Sequence, residues 1–335
     1  MKIALVFSGQ GVQYQGMGRD LYENFEKSRN IFDGAGDEVK RLCFESSADE
    51  LAVTKNTQPA VYTMTMAAYS AFIDEFNRKK SEKGPDVEIG AMAGFSLGEY
   101  AALTAAGCIP TFEAGLDIVT RRAGWMDESA RDADGKIAGC MDAVIGDRKK
   151  IMEVLVRARG YYNVLVAANY NSPKQTVISG DFSAMDRMEL YGKEERLRCT
   201  RLSVGGAFHS PMMRDASNNL REYVSGMEFA APSVPLYINL NGGLLTDYRA
   251  EKDSEEQRDF DPSADIADSM ALQVMRAVKW EDTVNNIIAS GITTFVEIGP
   301  GKALSGLIKN INKDTVTYNV ENTETLRNTI VELFR

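Results

Sequence analysis

The sequence predicts an α/β fold in which a smaller unit is inserted into a larger one, and three observations support this prediction. Short apolar strands alternate with helical patterns along most of the 335 residues. A Gly-x-Ser-x-Gly turn joins one of these strands to the helix that follows it. From residue 136 the predicted order changes to β-α-β-β-α-β, which is that of a ferredoxin-like unit.

The elements of the first part of the chain follow from apolar runs and from helical spacing. Gly107 ends one helix, and a turn at residues 84–86 precedes the second strand. The predicted elements are strands at 2–7 and 87–93 and helices at 18–33, 58–78, 97–106 and 111–130.

The inserted unit and the remainder of the chain are assigned in the same way. The unit contains strands at 136–144, 163–169, 175–180 and 196–204 and helices at 147–160 and 182–195. After it we predict helices at 211–227, 266–278, 280–290 and 302–312, strands at 234–241 and 294–298, and an acidic loop at 247–265. These assignments divide the chain into a core of residues 1–130 with 204–335 and a small subdomain of residues 131–203.

Composition excludes several functional classes. With 44% hydrophobic and 26% charged residues, the chain resembles an ordinary globular protein, and its net charge of −10 argues against a nucleic-acid partner. No apolar run approaches transmembrane length, and the one that follows Lys2 is too short for a signal peptide. Four scattered cysteines and a single histidine predict reduced thiols, no metal site and a cytoplasmic location.

The charge is unevenly distributed. Residues 136–201 contain twelve Lys and Arg against eight Asp and Glu, a net charge of +4, so the remainder of the chain carries −14. A basic unit on an acidic protein would attract an anionic ligand or an acidic partner. Ordinary variation among solvated surface charges explains the same difference equally well.

The stretch Gly94-Phe95-Ser96-Leu97-Gly98 is the first candidate for chemistry. Glycines flank the serine because a Cβ at either position would collide where strand and helix approach each other. The pattern alone is weak, and an inert packing turn is the alternative. A predicted strand before the pattern and an Ala- and Leu-rich helix after it strengthen the interpretation as a nucleophile.

The loop Ser8-Gly9-Gln10-Gly11 follows the first strand. It is not a dinucleotide loop, since that pattern would require glycine at Tyr14, and no Gly-Lys-Ser/Thr follows for a phosphate loop. A loop that stabilises an oxyanion fits better, because it follows its strand as the serine turn follows a later one. A purely structural turn remains the alternative.

His209 is the only histidine in the chain. A serine nucleophile at neutral pH requires a base with a pKa near 7, so a histidine base for Ser96 has to be His209. The order of serine before histidine matches α/β-hydrolases, but no acid that would orient the histidine can be named. In the predicted helix 111–130, the pair Arg121-Arg122 leaves open that one arginine points inward.

Several of these motifs, taken together, resemble one family. The chain resembles malonyl-CoA:acyl-carrier-protein transacylases and the acyltransferase domains of polyketide synthases. The matching segments span essentially the whole sequence; they are Ser8–Gly11, Gly94–Tyr100, Arg122–Met126, Asn169–Pro173, Gly206–Pro211, Gln273 with Trp280, and Val296–Lys302.

The resemblance implies an α/β-hydrolase-like core with an inserted ferredoxin-like subdomain, and ping-pong acyl transfer. Ser96, activated by His209, would accept malonyl from malonyl-CoA and pass it to the phosphopantetheine thiol of acyl carrier protein. Backbone N–H groups of Gln10 and Leu97 would form the oxyanion hole, and a main-chain carbonyl at Gln273 would orient the histidine. The CoA thioester is a substrate, and no cofactor is expected.

The resemblance also assigns specificity and partners. Arg122 would bind the free carboxylate of malonate, Phe208 would crowd a 2-methyl branch, and Asn171 would support the site. The acidic carrier protein would dock near the basic small subdomain of a monomeric enzyme. The product would supply extender units for fatty-acid synthesis, or alternatively for polyketide synthesis.

Some residues depart from the family pattern. Phe95 stands where the family most often has His, Asp127 replaces a common Gln, and Ala277 a common Pro. The acidic stretch 247–265 is also longer than is usual for the family. These departures affect fine specificity and not the reaction. The principal alternative reaction is that of a serine esterase or thioesterase, with water as the acceptor.

Overall fold

The computed structural model describes residues 1–84, 86–249 and 259–335. Within them the strands are β1 Lys2–Phe7, β2 Glu88–Gly94, β3 Gly139–Ile145, β4 Leu165–Ser172, β5 Gln175–Asp181, β6 Arg198–Arg201, β7 Leu236–Tyr237, β8 Thr294–Ile298 and β9 Val316–Val320. The helices are α1 Arg19–Asn24, α2 Glu26–Gly34, α3 Asp37–Glu45, α4 Ala48–Ala52, α5 Thr54–Lys83, α6 Gly98–Ala105, α7 Phe112–Ser129, α8 Arg148–Arg159, α9 Phe182–Glu194, α10 Arg214–Val224, α11 Pro262–Gln273, α12 Trp280–Ala289, α13 Ala303–Ile311 and α14 Thr323–Leu333.

The larger sheet is parallel and has the order β7-β2-β1-β8-β9. Central strand β1 is buried on both faces, which is typical of a parallel sheet covered by helices. Ile3, Leu5 and Phe7 pack into one apolar cluster, whereas Ala4 and Val6 pack into another on the opposite face. Phe7 is in register with the last residue of β2 and of β8, so the turns after these strands meet at one edge of the sheet.

The smaller sheet is antiparallel and has the order β4-β5-β3-β6. With α8 and α9 it forms the predicted ferredoxin-like unit, so the fold class is confirmed. Asp147 and Asp181 begin its two helices, each accepting a backbone N–H bond from the first turn. The sheet lies within residues 131–203, whose precise bounds as a subdomain stay a prediction.

The two sheets are connected at β4. The Tyr170 N–H donates to the Val278 carbonyl at 2.9 Å, and the Val278 N–H donates to the Ala168 carbonyl at 2.8 Å. These bonds fix the antiparallel sheet against the segment between α11 and α12. One face of the small sheet, which includes Met141 and Val177, is thereby held over the edge where the parallel strands end.

Several predicted elements differ from the observed ones. The helix predicted at 18–33 is divided into α1 and α2 because the backbone at Phe25 is extended. The strand predicted at 234–241 reduces to β7, and the helix predicted at 211–227 begins as a 3-10 turn, Pro211–Met213. The sequence pattern does not predict α3, α4, β9 or α14; β9 is a partly exposed edge strand whose polar residues conceal the pattern.

Two predictions fall partly outside the described residues, namely the turn at 84–86 and the loop at 247–265. Within the described part of that loop, α11 begins at Pro262, four residues earlier than predicted, with the Asp261 side chain accepting the Ala264 N–H.

Among the helices that the structure describes, none is long and apolar enough to cross a membrane.

Candidate active site

Ser96 lies on a sharp turn between β2 and α6. Its φ of 51° is in the left-handed region, a conformation that costs on the order of 1–3 kcal/mol for a non-glycine residue. A Cβ at Gly94 would lie 2.0 Å from the Gly98 carbonyl carbon, and one at Gly98 would lie 2.0 Å from the Phe7 carbonyl oxygen. The two glycines therefore permit the close approach that lifts the serine out of the sheet.

His209 is the partner of this serine, although 113 residues separate them. Ser96 Oγ and His209 Nε2 are 2.7 Å apart. The other ring nitrogen, Nδ1, lies 2.9 Å from the Gln273 carbonyl oxygen and 3.1 Å from that of Arg276. Because carbonyls only accept hydrogen bonds, Nδ1 carries the proton and Nε2 is left to accept the serine proton.

The carbonyls that orient the histidine come from the end of α11 and from the turn that follows it. Gln273 is the last residue of α11, where carbonyl oxygens have no partner within the helix. The His209 N–H donates to the Val274 carbonyl at 3.2 Å, which holds the histidine backbone against the same segment. A helix end thus occupies the position where other serine enzymes have a carboxylate.

Arg122 and Arg121 point in opposite directions. Arg121 is about half exposed and pairs with Asp117 at 3.2 Å, whereas Arg122 is 1% exposed on α7. Its guanidinium donates to Gln58 Oε1 at 2.5 Å and to Gln273 Oε1 at 3.2 Å, and Nη2 lies 3.5 Å from Ser96 Oγ. Among the described residues none of its hydrogen bonds goes to a carboxylate, and its Nε has no hydrogen-bond partner.

Burial and the nearby Arg122 cation lower the pKa of His209 to about 4, against an opposing contribution from the bonds to Gln273 and Arg276. Both causes disfavour the charged imidazolium. The imidazole is therefore neutral at pH 7, the form that accepts a proton from Ser96.

We expect the pKa of His209 to lie well below the usual value of 6.5. A histidine whose pKa is lowered in the folded state stays neutral as the pH falls past 6.5 and charges only near pH 4. Because the chain has one histidine, imidazole NMR signals recorded from pH 8 to 4.5 report it without assignment. A midpoint at 6.5 in the folded protein would contradict this expectation.

A cavity of about 640 Å³ lies between the two sheets and brings most of the predicted site residues together. Its lining includes Gln10, Ser96, Leu97, Arg122, Asn171, Phe208 and His209. Gln273 is not part of the lining, because it lies behind the serine and bonds the Ser96 carbonyl through Nε2 at 2.8 Å.

The departures from the family pattern differ in position. Phe95 lines the cavity and packs edge-on against Trp280, with ring centroids 5.4 Å apart. Asp127 instead pairs with Arg131 at 3.2 Å, and neither Asp127 nor Ala277 belongs to the lining. Of the three substitutions, the one at residue 95 is thus the one that faces the site.

The turns that carry Gln10 and Leu97 lie side by side. A Cβ at Gly9 would lie 2.5 Å from the Phe95 carbonyl oxygen, so the two turns are in close contact. Leu97 immediately precedes α6, and the first N–H groups of a helix lack intrahelical partners and lie at the positive end of its dipole. Both positions suit an oxyanion hole, which stays a prediction.

Two further residues of this site were not predicted from the sequence. Gln58 holds Arg122, and it is a fully buried polar residue at the start of the predicted helix 58–78. Asn239 contacts the backbone of the serine turn and lies just after β7. Every residue of α5 from Thr57 to Ala68 is buried, so helical spacing does not single out Gln58, and Asn239 has no sequence signal either.

A Ser–His pair on a strand-to-helix turn of an α/β sheet is an arrangement found in acyl-transferring enzymes. The chain matches the family model described as the acyl transferase domain over residues 4–326. It is 34% identical to the malonyl CoA-acyl carrier protein transacylase of Bacillus subtilis strain 168 over 331 residues, covering 97% of this chain and 95% of that protein. The chain therefore belongs to the malonyl-CoA:acyl-carrier-protein transacylase family, and it is an acyltransferase.

Solved structures agree with this assignment. The crystal structure of malonyl CoA-acyl carrier protein transacylase from Clostridium perfringens is similar with a TM-score of 0.84 and 32% identity, covering 99% of this chain and 97% of that chain. A second, described as a type II PKS acyl-carrier protein in complex with its malonyl-transacylase, is similar with a TM-score of 0.83 and 29% identity, covering 99% and 100%.

Proposed function

We propose that this enzyme transfers a malonyl group from malonyl-CoA to the phosphopantetheine thiol of an acyl carrier protein through a malonyl ester on Ser96. The observation that carries the proposal is the buried Arg122, whose hydrogen bonds go to the side chains of Gln58, Gln273 and Ser96 and to no carboxylate of the described residues, with Nη2 3.5 Å from Ser96 Oγ. A substrate with a free carboxylate would supply a carboxylate partner. Beyond the CoA thioester, the proposed reaction requires no cofactor.

In the first half-reaction, His209 Nε2 takes the proton of Ser96 Oγ while Oγ attacks the thioester carbonyl carbon. The oxyanion would be stabilised by the N–H groups of Gln10 and Leu97; one such donor typically contributes about 3–4 kcal/mol. The C–S bond then breaks, and the departing CoA sulfur receives the proton held by the histidine.

The second half-reaction reverses these roles. The carrier thiol gives its proton to His209 and attacks the malonyl ester, the bond to Ser96 Oγ breaks, and the proton returns to the serine. The bonds from Nδ1 to two carbonyls keep the ring orientation the same in both halves.

Selection of the acyl group rests on two contacts. A guanidinium binds a carboxylate through parallel hydrogen bonds and remains charged at all working pH values. Acetyl-CoA would leave the buried Arg122 charge unpaired, which disfavours it. Phe208 is 5% exposed and lines the cavity, where it would crowd a 2-methyl branch, a preference worth only about 1–3 kcal/mol.

The carrier protein is proposed to dock near the small subdomain. Lys174 lies exposed in the turn between β4 and β5, next to Asn171 and Gln175, which line the cavity. This position places a cation of the basic subdomain close to the cavity. The relatives named above are transacylases of acyl carrier protein, and one was solved together with its carrier.

The test is incubation of the enzyme with malonyl-CoA in the presence and absence of carrier protein that bears phosphopantetheine. Malonyl-carrier should form in equal amount to the CoA released, and without carrier the release should stop after about one equivalent. Continued CoA release with no malonyl-carrier would instead support the thioesterase alternative. The KM for the carrier should rise with salt, because screening weakens attraction between exposed charges.

A further inference from the structure

The side chain of Asn239 bonds the backbone on both sides of Phe95, within the serine turn. Its Oδ1 accepts the Ser96 N–H at 2.7 Å, and its Nδ2 donates to the Gly94 carbonyl at 2.7 Å. The asparagine is fully buried and lies after β7, the neighbour of β2 in the sheet. An amide is required, because it presents one donor and one acceptor at this spacing.

Glu99 fixes the asparagine in turn. Its Oε2 accepts the Asn239 backbone N–H at 2.6 Å, and its own N–H donates to the Ser96 carbonyl at 3.1 Å. The hydrogen bonds therefore form a closed ring that runs from Ser96 to Asn239, to Glu99 and back to Ser96. Both peptide groups of the strained serine are held, and neither Asn239 nor Glu99 lines the cavity.

We infer that Asn239, supported by Glu99, is a positioning residue that holds Ser96 in its left-handed conformation for acyl transfer. The inference rests on the proposed role of Ser96 as nucleophile. Left-handed backbone at a non-glycine residue persists only when its surroundings enforce it, and this ring, together with the Gln273 Nε2 bond to the Ser96 carbonyl, supplies the enforcing contacts. Released from the ring, the turn would relax, and Oγ would leave its 2.7 Å contact with His209.

The ring also limits which N–H group of the serine turn can bind the oxyanion. In many serine enzymes the N–H of the nucleophile itself binds the oxyanion. Here the Ser96 N–H is occupied by Asn239 Oδ1, so it is withdrawn from that role. The remaining N–H at the turn is that of Leu97, which agrees with the oxyanion hole proposed above.

The charge of Glu99 is not what the ring uses. Burial raises the pKa of Glu99 to about 8, against lowering contributions from the Asn239 N–H, Arg122 and Gln273. A glutamine keeps a carbonyl oxygen at the same position and can accept the same hydrogen bond. Glu99→Gln is therefore the conservative variant, and Glu99→Ala is the one that leaves the Asn239 N–H unpaired.

The experiment measures the single-turnover rate at which Ser96 is acylated by malonyl-CoA, together with the Kd of malonyl-CoA. Asn239→Ala should slow acylation by about 10²-fold, the cost of a misplacement of about 1 Å, with the Kd unchanged within about twofold. Glu99→Ala should slow acylation, Glu99→Gln should not, and the double alanine variant should be no slower than Asn239→Ala.

Ser28→Ala is the matched control, because it removes another fully buried side chain that bonds a backbone carbonyl, that of Ala67 at 2.8 Å. It should lower the Tm without changing the acylation rate. Acylation of Asn239→Ala within about threefold of the wild-type rate would overturn the inference. If Asn239→Ala does not fold, equal acylation rates for Glu99→Ala and Glu99→Gln would overturn the inference. No acylation of the wild-type enzyme would instead refute the proposed function.

Discussion

Replacing Ser96 with alanine is expected to lower malonyl transfer by at least about 10⁴-fold and to remove the acyl adduct. Loss of the nucleophile of a Ser–His pair has effects of this size, because the covalent route closes completely. Alanine retains a Cβ at the same φ of 51°, so the turn itself should persist. Intact mass spectrometry after incubation with malonyl-CoA, without carrier protein, detects the adduct directly.

Ser233→Ala is the control for this variant. Ser233 Oγ donates to the Ala106 carbonyl at 2.8 Å and lies outside the cavity lining, so its removal should leave both adduct and turnover intact. A malonyl adduct that survives in Ser96→Ala would show that another residue is acylated. Removal of His209 should also abolish adduct formation at neutral pH, because the chain has no other histidine that could take the proton of Ser96.

The second large effect is expected from Arg122→Ala, which should lower kcat/KM for malonyl-CoA by about 10²–10⁴-fold. Breaking a buried charge pair costs about 3–5 kcal/mol, and each 1.36 kcal/mol corresponds to a factor of ten. Acetyl-CoA gains no bond from Arg122, so its transfer should be retained or increased. The ratio of kcat/KM for malonyl-CoA to kcat/KM for acetyl-CoA measures the change in selectivity.

Arg121→Ala is the matched control on the adjacent residue. Arg121 is half exposed and its pair with Asp117 is a surface contact, so we expect the malonyl-to-acetyl ratio to stay within about twofold. Arg122→Lys should restore the charge but not the parallel hydrogen bonds, and should fall between the wild type and Arg122→Ala. An unchanged ratio in Arg122→Ala would remove this arginine from the substrate site.

The local parts of the site could be predicted from the sequence. Gly94 follows from a steric requirement that acts within five residues, because a Cβ there would lie 2.0 Å from the Gly98 carbonyl carbon. A Cβ at Gly98 would instead lie 2.0 Å from the Phe7 carbonyl oxygen on β1, so that glycine is marked by the Gly-x-Ser-x-Gly pattern and not by a local contact. His209 could be singled out as the base because the chain offers no other. The β-α-β-β-α-β unit was also predictable, since its elements are consecutive along the chain.

The choice between Arg121 and Arg122 is within reach of the helical pattern, although the pair by itself leaves it open. The buried residues of α7 include Ile118, Val119, Arg122 and Met126, which recur at helical spacing. Arg122 therefore falls on the apolar stripe, whereas Arg121 is rotated by about 100° away from it. The pattern indicates burial, but it does not say what the buried guanidinium faces.

By itself the sequence determined the order of most of the elements, the serine turn and the sole histidine. The family resemblance, and no residue pattern, pointed to the Gln273 carbonyl as the group that orients that histidine. Only the tertiary structure decided what holds the serine. The orienting groups are the carbonyls of Gln273, at the end of α11, and of Arg276, three residues further on, and every residue has a carbonyl, so no residue type marks them. The two hydrogen bonds from Asn239 to the serine turn likewise join a side chain to backbone groups 143 and 145 residues away. Only the packing of β7 beside β2 creates this contact.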